Sequence, residues 1–174
     1  MENEVLRNIK TRRSCRAYTA QPVEPEKLKA ILEAGTWAAS GHGWQAAKIV
    51  VLQDAAEIAE LERMNAAVLG NPAAHPFYGA PVVCVVLADP ERYTCVEDGA
   101  LVMGNLMLAA HSLGVASCWI HRARQEFDSP EGKALLKKWG VDERYIGVGH
   151  CILGYAASEA PAPKPRKNDY VIYR

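Results

Sequence analysis

The chain has 174 residues, 49% of them hydrophobic, with 20 Lys plus Arg against 20 Asp plus Glu. This suits one domain, 1–174, with enough apolar material for a core. A formal charge of zero lacks the basic excess that general nucleic-acid or acidic-membrane binding needs, so neither partner is expected.

In chain order, Val5, Leu6 and Ile9 recur at helical spacing within residues 2–10. A polar, arginine-rich loop follows, from Thr11 to Tyr18. Pro25 opens a second helix with Leu28, Ile31 and Leu32 on one face, ending near the glycines of Ser40-Gly41-His42-Gly43. The β-branched run 47–52 predicts a strand. Asp54 is placed to cap the next helix, with Glu57 in capping-box position. That helix fades near Gly70-Asn71-Pro72. After Pro81, the continuous apolar run 82–87 predicts a central strand buried on both faces. Residues 97–113 form a helix apolar nearly all round, which must be covered on more than one side, and a partner subunit is the natural second cover. Strands are predicted over 115–120 and 145–155, with a helix between them starting at Ser129-Pro130 and stopping near Gly140. The Pro- and Ala-rich tail 156–167 cannot form helix or sheet interior. It ends in Tyr170-Val171-Ile172-Tyr173, a short strand with no sequence neighbour, of the kind that reaches across to another subunit. Helices and strands are mixed, so the class is α+β or α/β with one sheet.

The cysteines Cys15, Cys84, Cys95, Cys118 and Cys151 are odd in number and mostly lie in apolar runs, as reduced thiols in a reducing cytosol do. The acidic, polar N-terminus is no signal peptide, and the longest apolar stretch falls short of the roughly 20 residues a bilayer requires. A soluble cytoplasmic protein is expected.

Two segments carry chemistry. Arg12-Arg13-Ser14-Cys15-Arg16 places three guanidiniums and a hydroxyl within five residues. Guanidinium forks bind phosphate bidentately, although a solvated basic loop has the same composition. Lys164-Pro165-Arg166-Lys167, at the far end, reads alone as a charged tail. No argument from composition or spacing joins the two.

A resemblance does join them. Arg12 to Tyr18, Pro22-Val23, Leu28 to Ala34 and Ala39-Ser40-Gly41-His42 are similar to the N-terminal signature of the nitroreductase family. Phe77-Tyr78-Gly79-Ala80-Pro81 resembles the approach to its central strand, and Asp98 to Gly114 its long dimer helix. Ser117-Cys118-Trp119-Ile120, Gly154-Tyr155 and Lys164 to Lys167 follow in order. The resemblance implies an α+β fold with a central mixed β-sheet flanked by helices. It also implies a homodimer that exchanges its C-terminal tail and binds FMN at the seam. By the same resemblance, Arg12, Arg13, Ser14 and Arg16 would hold the phosphate, ribityl chain and pyrimidine side of the flavin. Lys164 and Arg166 would close on the phosphate. The backbone around Trp119, Ile120 and His121 would lie beside the ring, with the His121 N–H facing N5. Gly43 and Gln45 would complete the cofactor contacts.

The cofactor then supplies the chemistry: an NAD(P)H-dependent, ping-pong reduction of nitroaromatics, quinones or similar small acceptors. No side chain is assigned as an essential acid or base, and Arg16 would support the anionic reduced flavin. No dinucleotide fold is required, and Gly147-Val148-Gly149 lacks the third glycine of its fingerprint. The chain departs from the family where Asn-x-Gln-Pro-Trp usually follows Ser-Gly-His. Here Gly43-Trp44-Gln45-Ala46-Ala47 stands, so an amide is missing, and Trp44 either enters the site wall or packs in the core. A non-catalytic flavin-binding or redox-sensing protein, or a dehalogenase or flavin-modifying relative, remain as alternatives.

Other residues rank lower. Cys118, His121, His150 and Cys151 have zinc-like spacing, but adjacent strand residues point to opposite faces, so no metal site is expected. Cys15 sits among arginines and reads as a small residue in the phosphate loop. His42 and His111 read as loop or core histidines, and Asp98 as a helix cap or a residue that bonds a partner.

Overall fold

The computed structural model describes residues 1–174. Asn3 caps α1 (Glu4–Thr11) by accepting the Leu6 N–H at 2.9 Å. Pro25 opens α2 (Pro25–Thr36), where its missing N–H would have had no helical partner. β1 (Ala47–Leu52) leads into α3 (Ala55–Val68). There Asp54 accepts the N–H groups of Ala56 and Glu57 at 2.9 and 3.0 Å. Glu57 does not complete a capping box; its carboxylate lies 3.0 Å from Lys138 instead. The remaining elements are β2 (Val82–Ala88), α4 (Cys95–Ser112), β3 (Ala116–Ile120), α5 (Ala123–Asp128), α6 (Pro130–Lys138) and β4 (Ile146–Gly154). Helix α5 is absent from the sequence reading, because six residues are too few to display a helical period.

The four strands form one sheet in the order β1-β2-β4-β3, and every neighbouring pair is antiparallel. The expected mixed sheet is therefore corrected. Leu52 at the end of β1 pairs with Val83 at the start of β2. Helix α3 carries the chain away, and the irregular segment 69–81 brings it back to the same end of the sheet. A helix alone would have delivered a parallel neighbour. The expected strand at Tyr170–Tyr173 is not formed within the chain either, and those residues are exposed.

Alternation along β2 separates two cores. Val82, Cys84, Val86 and Ala88 face α2 and α4, meeting Leu28, Ile31, Met103 and Leu106. Val83, Val85 and Leu87 face α3, α5 and α6, meeting Leu61, Met64, Phe127 and Leu136. Two glycines of β4 permit close approach. A side chain at Gly147 would strike the Ala123 backbone of α5, and one at Gly149 the Trp119 indole.

Not every apolar face is covered. On α4, Val102, Met103, Leu106 and Ala110 are buried, but Val96 and Leu101 are about half exposed, at 49% and 50%. Val5, Leu6 and Ile9 of α1 are exposed, as is Trp37 at 80%. No helix is long and apolar enough to cross a membrane.

Candidate functional site

The arginine loop is fixed at both ends. Arg12 leaves α1 in an extended conformation, and Ser14 bridges Ser117 of β3 in parallel register. The Cys15 N–H donates to the Ser117 carbonyl at 3.0 Å. Arg13 is partly occupied: its Nη1 donates to the Lys10 and Arg12 carbonyls, both at 2.7 Å, and so finishes the C-terminus of α1. Arg12 differs. Its Nη1 is buried with no acceptor, and the Oγ of Ser117, the residue that Ser14 bridges, is likewise unpaired. A buried charged donor without a partner is costly, and a bound anion would satisfy it.

Beside this loop lies a pocket of about 270 Å³, lined by Arg13, Ser14, Cys15, Arg16, His111 and the tail residues 158–161. Arg16 is exposed at its rim. His111 Nε2 is 2.8 Å from the Thr11 hydroxyl. Burial first, and then the cations of Arg12 and Arg13, hold its pKa below the ordinary histidine value. The lining carries two guanidiniums, Arg13 and Arg16, against the one acidic side chain of Glu159, and Arg12, outside the lining, adds positive charge near His111.

Strand β3 runs from this loop to the second predicted group. Trp119 is half-buried against Gly149, Ile120 is buried and His121 is exposed. Behind them stands a buried network that the sequence reading missed. The carboxamide Nδ2 of Asn65 donates to the His121 carbonyl at 2.9 Å and to Glu126 Oε2 at 3.1 Å. Arg122 donates through Nε and Nη2 to Asn65 Oδ1 at 2.9 and 2.8 Å. Glu126 Oε2 lies 2.5 Å from His150 Nε2, and both side chains are wholly buried. One signal was available: a histidine in the middle of the apolar run 148–153 requires a buried polar partner.

The third group lies elsewhere. Gly43 and Gln45 occupy a turn with left-handed backbone, φ +69° and +51°. Open space surrounds the Gly43 Cα. Gln45 instead borders a cleft of about 390 Å³ with Ser40, Ile49, Val51 and Val102. Asp98 does not cap α4, whose N-cap is Thr94. It clamps the turn, accepting from the Gly41 N–H at 3.0 Å and the Thr94 hydroxyl at 3.2 Å. Trp44 is not a core residue. It lies at the surface, 4.6 Å from the His42 ring centroid and edge-on to Tyr93 at 5.3 Å, with the Arg92 guanidinium 5.1 Å away. His42 Nε2 is 3.0 Å from the Tyr93 hydroxyl.

Within one chain, these groups do not converge. The turn holding Gly43 and Gln45 borders a different cleft from the arginine loop. Lys164 and Arg166 are exposed on the tail, and residues 158–161, not they, line the arginine pocket. Of the zinc-like set, His150 packs with Phe77 and Phe127 while Cys151 lies in the opposite core. Burial pushes the Cys84 thiol up to about 12 and raises Cys118 and Cys151 as well, so these thiols are poor nucleophiles at neutral pH. Cys15 is half-buried, with its Sγ 3.1 Å from the Ala17 carbonyl.

An antiparallel sheet between two helical layers, with an arginine pocket at one end of its edge strand, defines a small α+β protein with an anion-ready site. The chain belongs to the nitroreductase family, whose model matches residues 9–155. A nitroreductase with bound FMN from Bacteroides fragilis is 33% identical and superposes with a TM-score of 0.91, covering 99% of this chain and 100% of that one. A second, with bound FMN from Desulfitobacterium hafniense, is 30% identical with a TM-score of 0.91 and full coverage of both, 100% each. A protein of Archaeoglobus fulgidus named "Putative NADH dehydrogenase/NAD(P)H nitroreductase" is 30% identical over 161 residues, 90% of this chain and 87% of that protein.

Proposed function

We propose that the protein is an FMN-dependent NAD(P)H oxidoreductase that acts as a homodimer on nitroaromatics, quinones or similar small acceptors. The observation that carries the reading is the buried Arg12 Nη1 without an acceptor, beside an electropositive pocket. The family's FMN-bound structures supply the ligand that fits it. FMN held there would supply the redox chemistry, hydride uptake from a nicotinamide followed by electron delivery to the acceptor in a ping-pong scheme.

The chain's own residues hold and shield. Arg12 and the Ser14 hydroxyl bind the phosphate, joined by whatever donors Arg13 keeps free of its two backbone bonds. Arg16, at the rim, offers positive charge to the pyrimidine side. Lys164 and Arg166 follow Pro161 closely enough along an extended tail, at about 3.3 Å per residue, to close over the same phosphate. The backbone around Trp119 and Ile120 borders the ring side. Gly43 and Gln45 belong to a turn that borders a different cleft from the arginine pocket, so a second subunit contributes them.

The exposed apolar side chains of α1 and α4 support the dimer. So does the sheet. Its β3 edge carries the Ser14 bridge, whereas the β1 edge is unpaired and borders the apolar cleft. Val171 and Ile172 of a partner's tail would extend the sheet there. A chain ending at Glu159 is therefore expected to sediment as a monomer and to lose FMN. A truncated chain that stays dimeric and yellow would refute tail exchange.

The enzymatic reading is tested by mixing the FMN-loaded protein with NADH or NADPH without oxygen. The yellow colour should bleach, and should return on adding a nitroaromatic or quinone. No bleaching with either nucleotide would leave a flavin-binding protein without this activity, consistent with the amide that Gly43 lacks.

A further inference from the structure

The network behind His121 has no part in the scheme above, and its geometry is specific. Asn65 is wholly buried in α3, and every hydrogen-bonding position of its carboxamide is used. One of those bonds fixes a peptide plane. The His121 carbonyl turns inward to Asn65 Nδ2 at 2.9 Å. Peptides here are trans, so the N–H of Arg122 points the opposite way, out of the core. Arg122 adopts φ +82°, a left-handed conformation uncommon for a residue other than glycine and held here by its surroundings. The imposing contacts are its own two bonds to Asn65 Oδ1. No acceptor in the chain takes the N–H of His121 or of Arg122. Glu126 and His150 complete the support, because Glu126 Oε2 anchors the second Asn65 N–H and His150 anchors Glu126.

We propose that Asn65 is a positioning residue which, by turning the His121 carbonyl inward, presents the Arg122 N–H as the backbone donor to the flavin ring. The donor is then Arg122 and not His121, as the resemblance alone had suggested. This rests on the reading that FMN binds along β3, with its phosphate at the arginine pocket. The β3 segment from Ser117 to His121 spans about 13 Å at 3.3 Å per residue, which separates the two ends of such a ligand. The oxidised ring accepts at N5, whereas in the reduced ring that nitrogen carries its own proton, so a fixed N–H donor there favours the oxidised ring and sets the reduction potential as well as the orientation.

The test uses the FMN-loaded dimer. Asn65→Asp keeps an oxygen for Arg122 but cannot donate to the His121 carbonyl as a carboxylate; Asn65→Leu removes both functions. Each variant is expected to bind reduced FMN within about threefold of the parent protein, because the arginine pocket is intact. Each should bind oxidised FMN at least tenfold more weakly relative to reduced FMN. For two electrons that ratio is a midpoint about 30 mV more positive, read by spectroelectrochemistry. A purely structural role would lower thermal stability and leave this ratio unchanged. The unmutated protein provides a second measurement that does not depend on the variants folding. Adding oxidised FMN should slow hydrogen exchange at the Arg122 amide at least tenfold, by NMR, with a smaller effect at His121. Variants that keep the parent ratio, or protection at His121 without protection at Arg122, would overturn the proposal. Failure of the unmutated protein to bind FMN at all would instead overturn the functional reading beneath it.

Discussion

His150→Leu is expected to destabilise the protein by about 2–3 kcal/mol, the cost of leaving a buried hydrogen-bonding group without its partner. The side chains of His150 and Glu126 are both wholly inaccessible to solvent and lie 2.5 Å apart. Leucine fills the space between Phe77 and Phe127 but gives Glu126 nothing to bond. The carboxylate keeps only the Asn65 amide on Oε2, and its Oε1 is already without a partner. The double variant Glu126→Leu/His150→Leu removes both polar groups and should recover a good part of the loss, since apolar replacement of a whole buried pair is often neutral. Urea unfolding at one fixed protein concentration measures both, because a dimer's stability depends on concentration. A single variant within about 1 kcal/mol of the parent would show that the pair contributes little.

Arg12→Ala should weaken FMN binding about 10- to 100-fold, corresponding to loss of a charge-assisted hydrogen bond of about 1.5–3 kcal/mol. Titration of free FMN, followed by its fluorescence, reads the change. Stability of the FMN-free protein should move the other way or not at all. The Arg12 Nη1 is buried and unpaired without a ligand, so deleting it removes a cost. This opposite response separates a ligand-holding arginine from a structural one. Arg13→Ala should instead destabilise the free protein, because its guanidinium finishes α1 through the Lys10 and Arg12 carbonyls. Unchanged affinity in the Arg12 variant would remove the phosphate from this pocket.

Much of the fold could be read from local pattern. The continuous run at Val82–Ala88, the all-round apolar helix at Cys95–Ser112, Pro25 as a helix opener and Asp54 as a cap each have a local physical cause. The arginine loop was legible as chemistry for the same reason, since three guanidiniums in five residues need no fold to be noticed. Its division of labour was not. Arg13 turned to its own helix end while Arg12 became buried and unpaired, and composition treats the two alike.

The sequence by itself determined where the four strands and all the helices but α5 form, which of those segments carry the core, and that cationic groups stand at both ends of the chain. Those properties follow from neighbours within a turn or two. Only the tertiary structure decided that the sheet is antiparallel throughout, that Trp44 stays at the surface, and that Asn65, Glu126 and His150 meet. Strand direction depends on how an irregular return segment closes. The buried network joins α3, α5 and β4, whose residues are tens of positions apart and share no periodic pattern. Contacts of that kind arise when packed layers bring distant side chains together, where an unpaired polar group is too costly to leave alone.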